Sequence, residues 1–80
     1  MLVRSFFVAT IKVKIRSDED YITLNVLLKI EDIIETGGMA KSYLASNPIK
    51  VNDALENRRG RKLYPGDLIE VEGKVYEIIR

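Results

Sequence analysis

The chain contains neither cysteine nor histidine, so no disulfide and no thiolate or imidazole metal site is available to staple it. This is the tightest constraint on its fold, because a chain of 80 residues buries only about 60% of the surface it exposes when unfolded. Stability must come from apolar side chains set in the right period. With 46% hydrophobic and 31% charged residues the composition is that of a globular domain, not of a disordered segment, and the length accommodates one domain over residues 1–80. The same absences narrow the chemistry, since the commonest general base and the strongest nucleophile are both missing. Carboxylates, serines and tyrosines stand in no catalytic spacing. The sequence therefore reads as non-enzymatic, with no cofactor, no metal site and no small-molecule substrate. Cysteine-free composition agrees with a reducing cytoplasm. The apolar run Phe6–Ala9 is too short for a signal-peptide core, and nothing approaches the roughly 18 apolar residues of a membrane span, so a cytoplasmic protein without a membrane partner is expected.

Period-2 alternation of Ile11, Val13 and Ile15 against Lys12, Lys14 and Arg16 predicts a half-buried strand over about residues 9–16. The polar turn "SDED" ends it. Thr23 is placed to cap a helix with its hydroxyl, and Leu24, Leu27, Leu28 and Ile34 follow helical spacing over about 24–34. Inside a helix the pair Gly37-Gly38 would cost roughly 1 kcal/mol per glycine relative to alanine, so the glycines belong at a junction. There Thr36 caps a second short helix bearing Ala40, Tyr43 and Leu44 on its buried side and ending at Pro48. Strand signals follow: "IKV", a turn at "NDA", "RKLY", a type II turn at Pro65-Gly66, "LIEVE", a turn at Gly73-Lys74 and "VYEII". The order is β, α, α, then several β. No repeat and no low-complexity segment interrupts it.

Charge is distributed unevenly along this order. Residues 18–35 hold six carboxylates against Lys29 alone, whereas Arg58, Arg59, Arg61 and Lys62 fill four of five successive positions. A net charge of +1 therefore conceals an acidic and a basic region. Such runs serve either as solvated faces and internal ion pairs or as anion sites. Arginine grips phosphate oxygens with paired hydrogen bonds, and glycines at a helix start leave backbone N–H groups accessible to an anion, with Lys41 one turn further on. Equally, Gly37 can serve to supply a backbone angle with φ > 0 between helices. Tyr43 and Tyr76 fall at positions expected in the core, and Tyr64, beside the arginine run, is read as a packing residue with base stacking as the alternative.

The stretches "ITLNVLLKIEDIIETGGMAKSYL" and "IKVNDALENRRGRKLYPGDLIEVEG" resemble the ribosomal-protein-S-four-type RNA-binding domain, or alpha-L motif. Within it they resemble the small stand-alone bacterial YaaA-like proteins. The resemblance covers about residues 20–73 and is most specific at "TGGMAK", "VN" and "RRGRKLYPGD". It implies an α+β fold of two short helices packed on a small, twisted, mostly antiparallel sheet, with RNA held on the helical face and adjoining loops. Matched by position, it implies RNA contacts from Thr36, Gly37, Gly38 and Lys41 at the second helix, from Lys50 and Asn52, and from Arg58, Arg59, Arg61 and Lys62. The implied partner is structured RNA, ribosomal RNA foremost, and with it ribosomal particles during assembly. Two departures stand out: many members have arginine where Gly37 stands, and the family's "VNG" reads "VND" here. Residues 1–9 lie outside the resemblance and are read either as a tail or as an extension of the first strand. The alternatives are a ubiquitin-like β-grasp protein, against whose carrier chemistry the ending "YEIIR" counts, and a protein-interaction module using the acidic residues of 18–35.

Overall fold

A computed structural model describes residues 10–80; the expectations for residues 1–9, including the start of the first strand, lie outside the described residues. The alternating stretch forms strand β1 (Thr10–Lys14), with Val13 and the following Ile15 buried. After the polar turn come β2 (Ile22–Thr23) and helix α1 (Leu24–Ile30). A 3₁₀ turn at Gly37–Met39 runs directly into α2 (Ala40–Ser46). The chain then forms β3 (Ile49–Val51), β4 (Ala54–Glu56), β5 (Lys62–Leu63), β6 (Leu68–Val71) and β7 (Lys74–Ile79). Five strands make one sheet in the order β1-β7-β6-β3-β4, while β2 and β5 pair in a separate two-stranded ladder. Among the described residues only β1 against β7 is parallel; β7–β6, β6–β3 and β3–β4 are antiparallel. This is the expected α+β arrangement of two short helices and a mostly antiparallel sheet. Strand β2, of two residues, is too short to announce itself by alternation, and β4 turns its leucine outward and its glutamate inward, so its hydropathy gives no strand signal.

Helix α1 is shorter than the leucine spacing predicts, and its stop is chemical. Asp32 takes a left-handed conformation, φ 59°, directly after the cap residue Glu31. The amide of Asp32 donates to the Lys29 carbonyl and that of Ile33 to the Leu28 carbonyl, which is the Schellman pattern that satisfies the last carbonyls of a helix. Glycine usually fills that position; here an aspartate does, and so the sequence carries no stop signal. Ile34, expected on the helix, lies beyond its end yet is still buried at 4% exposure. Thr23 also departs from expectation. It occupies the cap position, but its hydroxyl donates to Asn25 Oδ1 at 2.6 Å and accepts no hydrogen bond from the first-turn amides.

The core is a single cluster. Leu24, Leu27 and Leu28 of α1 and Ala40 and Leu44 of α2 meet the inward rows of the sheet, among them Ile49, Val51, Ile69, Val71 and Ile78. Fully burying one such aliphatic side chain contributes about 1.5–3 kcal/mol. Tyr76 is buried as expected. Tyr43 packs at the edge of the cluster, and its hydroxyl donates to the Glu72 carboxylate. Burial, then the bond and charge of Glu72, push that hydroxyl's pKa upward. The contact ties α2 to the β6–β7 turn.

Three tight turns join the later strands. In Tyr64–Asp67 the amide of Asp67 donates to the Tyr64 carbonyl at 2.9 Å and Gly66 sits at φ 98°, as a type II turn requires. The β6–β7 connection places Glu72 and Gly73 at φ 50° and 79°, and the β3–β4 connection places Asn52 and Asp53 at φ 51° and 70°; positive φ at both central positions is the hairpin geometry that matches strand twist. An aspartate carries a steric cost in that conformation that glycine does not. Asp53→Gly is accordingly expected to stabilise the protein by roughly 0.5–1 kcal/mol, read as a higher urea midpoint with an unchanged slope; a lower midpoint would show that Asp53 contributes something its backbone angle does not reveal.

Candidate nucleic-acid interface

The three arginines of the basic run lie in the loop between β4 and β5 and Lys62 opens β5; the loop is built around a buried carboxylate. The two-residue Asn52-Asp53 turn sets Ile49 opposite Glu56 and Lys50 opposite Leu55. Because Ile49 faces inward, its partner Glu56 does too, at 6% exposure, while Leu55 is 73% exposed. Hydropathy alone would assign these two residues the other way round. Glu56 is compensated by its neighbours: Arg58 places Nε 3.0 Å from Oε2 and Nη2 3.1 Å from Oε1. Arg61 Nη1 donates to Oε1 at 2.8 Å. The backbone amides of Asn57 and Arg58 donate to Oε2 at 3.1 and 2.9 Å. Hydrogen bonding from Arg58, followed by the amide and Arg61, outweighs the cost of burial and lowers the Glu56 carboxyl pKa to about 2.

Part of the concentrated positive charge is thus spoken for inside the protein. Arg61 is the more enclosed arginine, with 32% of its side chain exposed, whereas Arg58 keeps 73% exposed even while paired. Arg59 and Lys62 are exposed, and neither forms an ion pair among the described residues. Arg58, Gly60, Arg61 and Lys62 line a cleft of about 350 Å³.

The loop is also docked on α1. A turn closes at the Arg61 amide on the Arg58 carbonyl, 3.1 Å, and the carbonyls of Arg61 and Arg59 accept from the amides of Leu24 and Asn25, each at 2.9 Å. These two donors belong to the first turn of α1, which has no partners within its own helix. The arginine loop therefore supplies the cap that Thr23 does not.

Asn25 brings the second candidate segment close. A side chain at Gly37 would place its Cβ 3.5 Å from Asn25 Nδ2, so the glycine turn and the arginine loop flank the same end of α1. Neither Gly37 nor Gly38 has positive φ, and a Cβ at either would meet only ordinary contacts. The conformational account of these glycines is thereby removed: they leave surface uncovered. Thr36 and Lys41 are exposed beside them. Lys50 and Asn52 stand elsewhere. Lys50 points outward from β3, opposite Glu70, and lines a groove with Asn52, Asp53, Leu68, Glu70 and Val75. The Asn52 side chain is engaged at both ends, donating to Asp67 Oδ1 and accepting from the Leu68 amide, each at 3.0 Å.

Asn25, Glu56 and Tyr21 are members of this region that sequence reasoning missed. For Glu56 the signal was a lone carboxylate at the head of the basic run; the others carry no local signal. Tyr64, read as packing, does pack on Tyr21, with ring centroids 5.5 Å apart, but remains 46% exposed.

Comparisons with known proteins agree with this architecture. No solved structure matches the chain. A curated relative described as a probable ribosome maturation protein RlbA, from Bacillus subtilis (strain 168), is 54% identical over 56 residues, covering 70% of this chain and 79% of that protein. The family model described as S4 domain matches residues 13–79, from the end of β1 through the stretch that carries the motifs. With nearly all its described elements inside that match, the chain belongs to the S4 domain family.

Proposed function

We propose that this chain is a non-catalytic, cytoplasmic RNA-binding protein that holds structured RNA, ribosomal RNA foremost, and acts in ribosome maturation with ribosomal particles as its partners. The observation that carries the reading is the surplus of charge at the β4–β5 loop and the start of β5: of Arg58, Arg59, Arg61 and Lys62, only Arg58 and Arg61 pair with a carboxylate among the described residues, and both share Glu56. Arg58, Arg61 and Lys62 less Glu56 leave two positive charges at the open cleft, and exposed Arg59 adds a third on the same loop. The loop's backbone is held by β4 and by α1, and the guanidinium groups of Arg58 and Arg61 are held by Glu56 before any ligand arrives, which lowers the cost of ordering them on binding. Thr36, Gly37, Gly38 and Lys41 extend the surface past Asn25, and Lys50 and Asn52 form a smaller group on the outer face of the sheet. Phosphate contacts supply affinity, while groove shape and 2′-hydroxyls separate RNA from DNA. The relative's description as a ribosome maturation protein supports the choice of ribosomal RNA.

Arg59 gives the clean test, since it is exposed and its side chain makes no ion pair among the described residues. Wild type and Arg59→Ala are titrated with structured ribosomal RNA fragments and with duplex DNA across a salt series. RNA is expected to win over DNA, and the variant to bind every RNA more weakly with a salt slope shallower by about one, because one phosphate contact is lost. Thermal stability should not change. Equally weak binding of every nucleic acid by both proteins would sink the reading and return attention to a protein partner for the acidic residues of 18–35.

A further inference from the structure

We infer that the solvent face of the β2–β5 ladder is a stacking site for an unpaired RNA base whose phosphate sits in the adjoining arginine loop; this deepens the reading above and rests on it. The ladder pairs Ile22 with Leu63 and Thr23 with Lys62. Ile22 and Leu63 are buried, so their neighbours Tyr21, Lys62 and Tyr64 are turned to solvent. Tyr21 and Tyr64 are 36% and 46% exposed, and their rings are tilted by 51° at 5.5 Å. Lys62 Nζ stands 5.0 Å from the centre of the Tyr21 ring.

Three features separate this pair from a packing contact that happens to be at the surface. Tyr64 has its backbone held on both sides: its amide donates to Asp67 Oδ2 at 2.8 Å and its carbonyl accepts from the Asp67 amide at 2.9 Å. Tyr21 supports the Tyr64 ring from one side, so an exposed aromatic surface is presented at little entropic cost. Lys62 also belongs to both sites, lining the cationic cleft with Arg58, Gly60 and Arg61 while lying over Tyr21. A cationic groove leading to exposed aromatic rings is how proteins hold single-stranded nucleic acid, the groove following the backbone and the rings taking the bases. Fully paired RNA keeps its bases stacked inside the helix, so the site selects an RNA with an unpaired nucleotide beside a stem.

The experiment compares two hairpin RNAs of equal length, one carrying a single bulged 2-aminopurine and one with the same analogue paired in the stem. Each is titrated with wild type, Tyr64→Ala and Tyr64→Phe, following both affinity and 2-aminopurine fluorescence. Wild type should prefer the bulged RNA by about tenfold, the usual scale for one stacked base, and quench its fluorescence. Tyr64→Phe should keep both properties. Tyr64→Ala should lose both while keeping its affinity for the paired RNA and its salt slope, and that retained affinity also shows that the variant is folded. If wild type binds the two RNAs equally, or Tyr64→Ala keeps the preference and the quenching, the stacking site is refuted while RNA binding stands. If wild type binds neither RNA even at low salt, the broader reading falls and takes this one with it.

Discussion

Glu56→Gln is expected to destabilise the protein by about 2 kcal/mol and to disorder the loop that it leaves nearly isosteric. Hydrogen bonds to charged groups are worth about 1.5–3 kcal/mol each, but both arginines are partly in solvent and can recover water, which cuts the sum. Glutamine offers one oxygen where two were used, and it turns an amide donor toward guanidinium donors. Chemical denaturation at neutral pH measures the loss. The acid limb of stability gives an independent reading of the same site. The folded Glu56 carboxyl pKa lies near 2, below its ordinary value of 4.5, so its contribution is complete above about pH 4.5 and is lost as pH falls towards 2. Wild type should therefore lose stability across that window more steeply than Glu56→Gln. Equal slopes would mean that the carboxylate is not held as described. The substitution also removes the one negative charge that offsets the loop's arginines. If bare charge decided affinity, RNA would bind the variant more tightly; because the guanidinium groups need their anchor, we expect weaker binding to structured RNA.

Leu63→Ala is expected to cost about 3 kcal/mol, the middle of the range for truncating a buried leucine. For a chain of this size the total stability is on the order of 4–12 kcal/mol, so the variant should be marginal and should show a large fall in melting temperature. Leu63 has 0% exposure and belongs to the ladder that carries Lys62 and Tyr64. Its loss should therefore loosen the arginine loop and the tyrosine pair together, visible as faster hydrogen exchange at the amides of Leu24 and Asn25, which donate to that loop. Leu55→Ala is the control. Leu55 is 73% exposed, so its truncation should stay within about 0.5 kcal/mol of wild type. Comparable losses from the two variants would contradict the inward-outward phase of β4.

That phase shows where sequence reading reaches its limit here. Strands β1, β3, β6 and β7 and both helices were legible because each writes its period into consecutive residues, and the Pro65-Gly66 turn because its backbone angles demand those residue types. The family was legible too, from "TGGMAK" and the basic run. Helix α1 was read too long, since Asp32 stops it in a conformation normally signalled by glycine. The candidate segments were found one by one, but their relation to each other was not. Nothing local to "TLNV" says that Asn25 will lie between Gly37 and Arg59, and nothing in "ALEN" says that glutamate points inward and leucine outward.

By itself, then, the sequence determined the element types, the α+β class, the family and the excess of positive charge at residues 58–62. The tertiary structure alone decided what that charge does. A two-residue turn imposes a register that buries Glu56, two arginines pair with it, of which Arg61 is the more enclosed, and the free end of α1 is capped by the same loop. Periodicity is a property of neighbours in the chain, whereas burial and pairing depend on register across strands far apart in it. A shift of one residue would have reversed every one of those side chains.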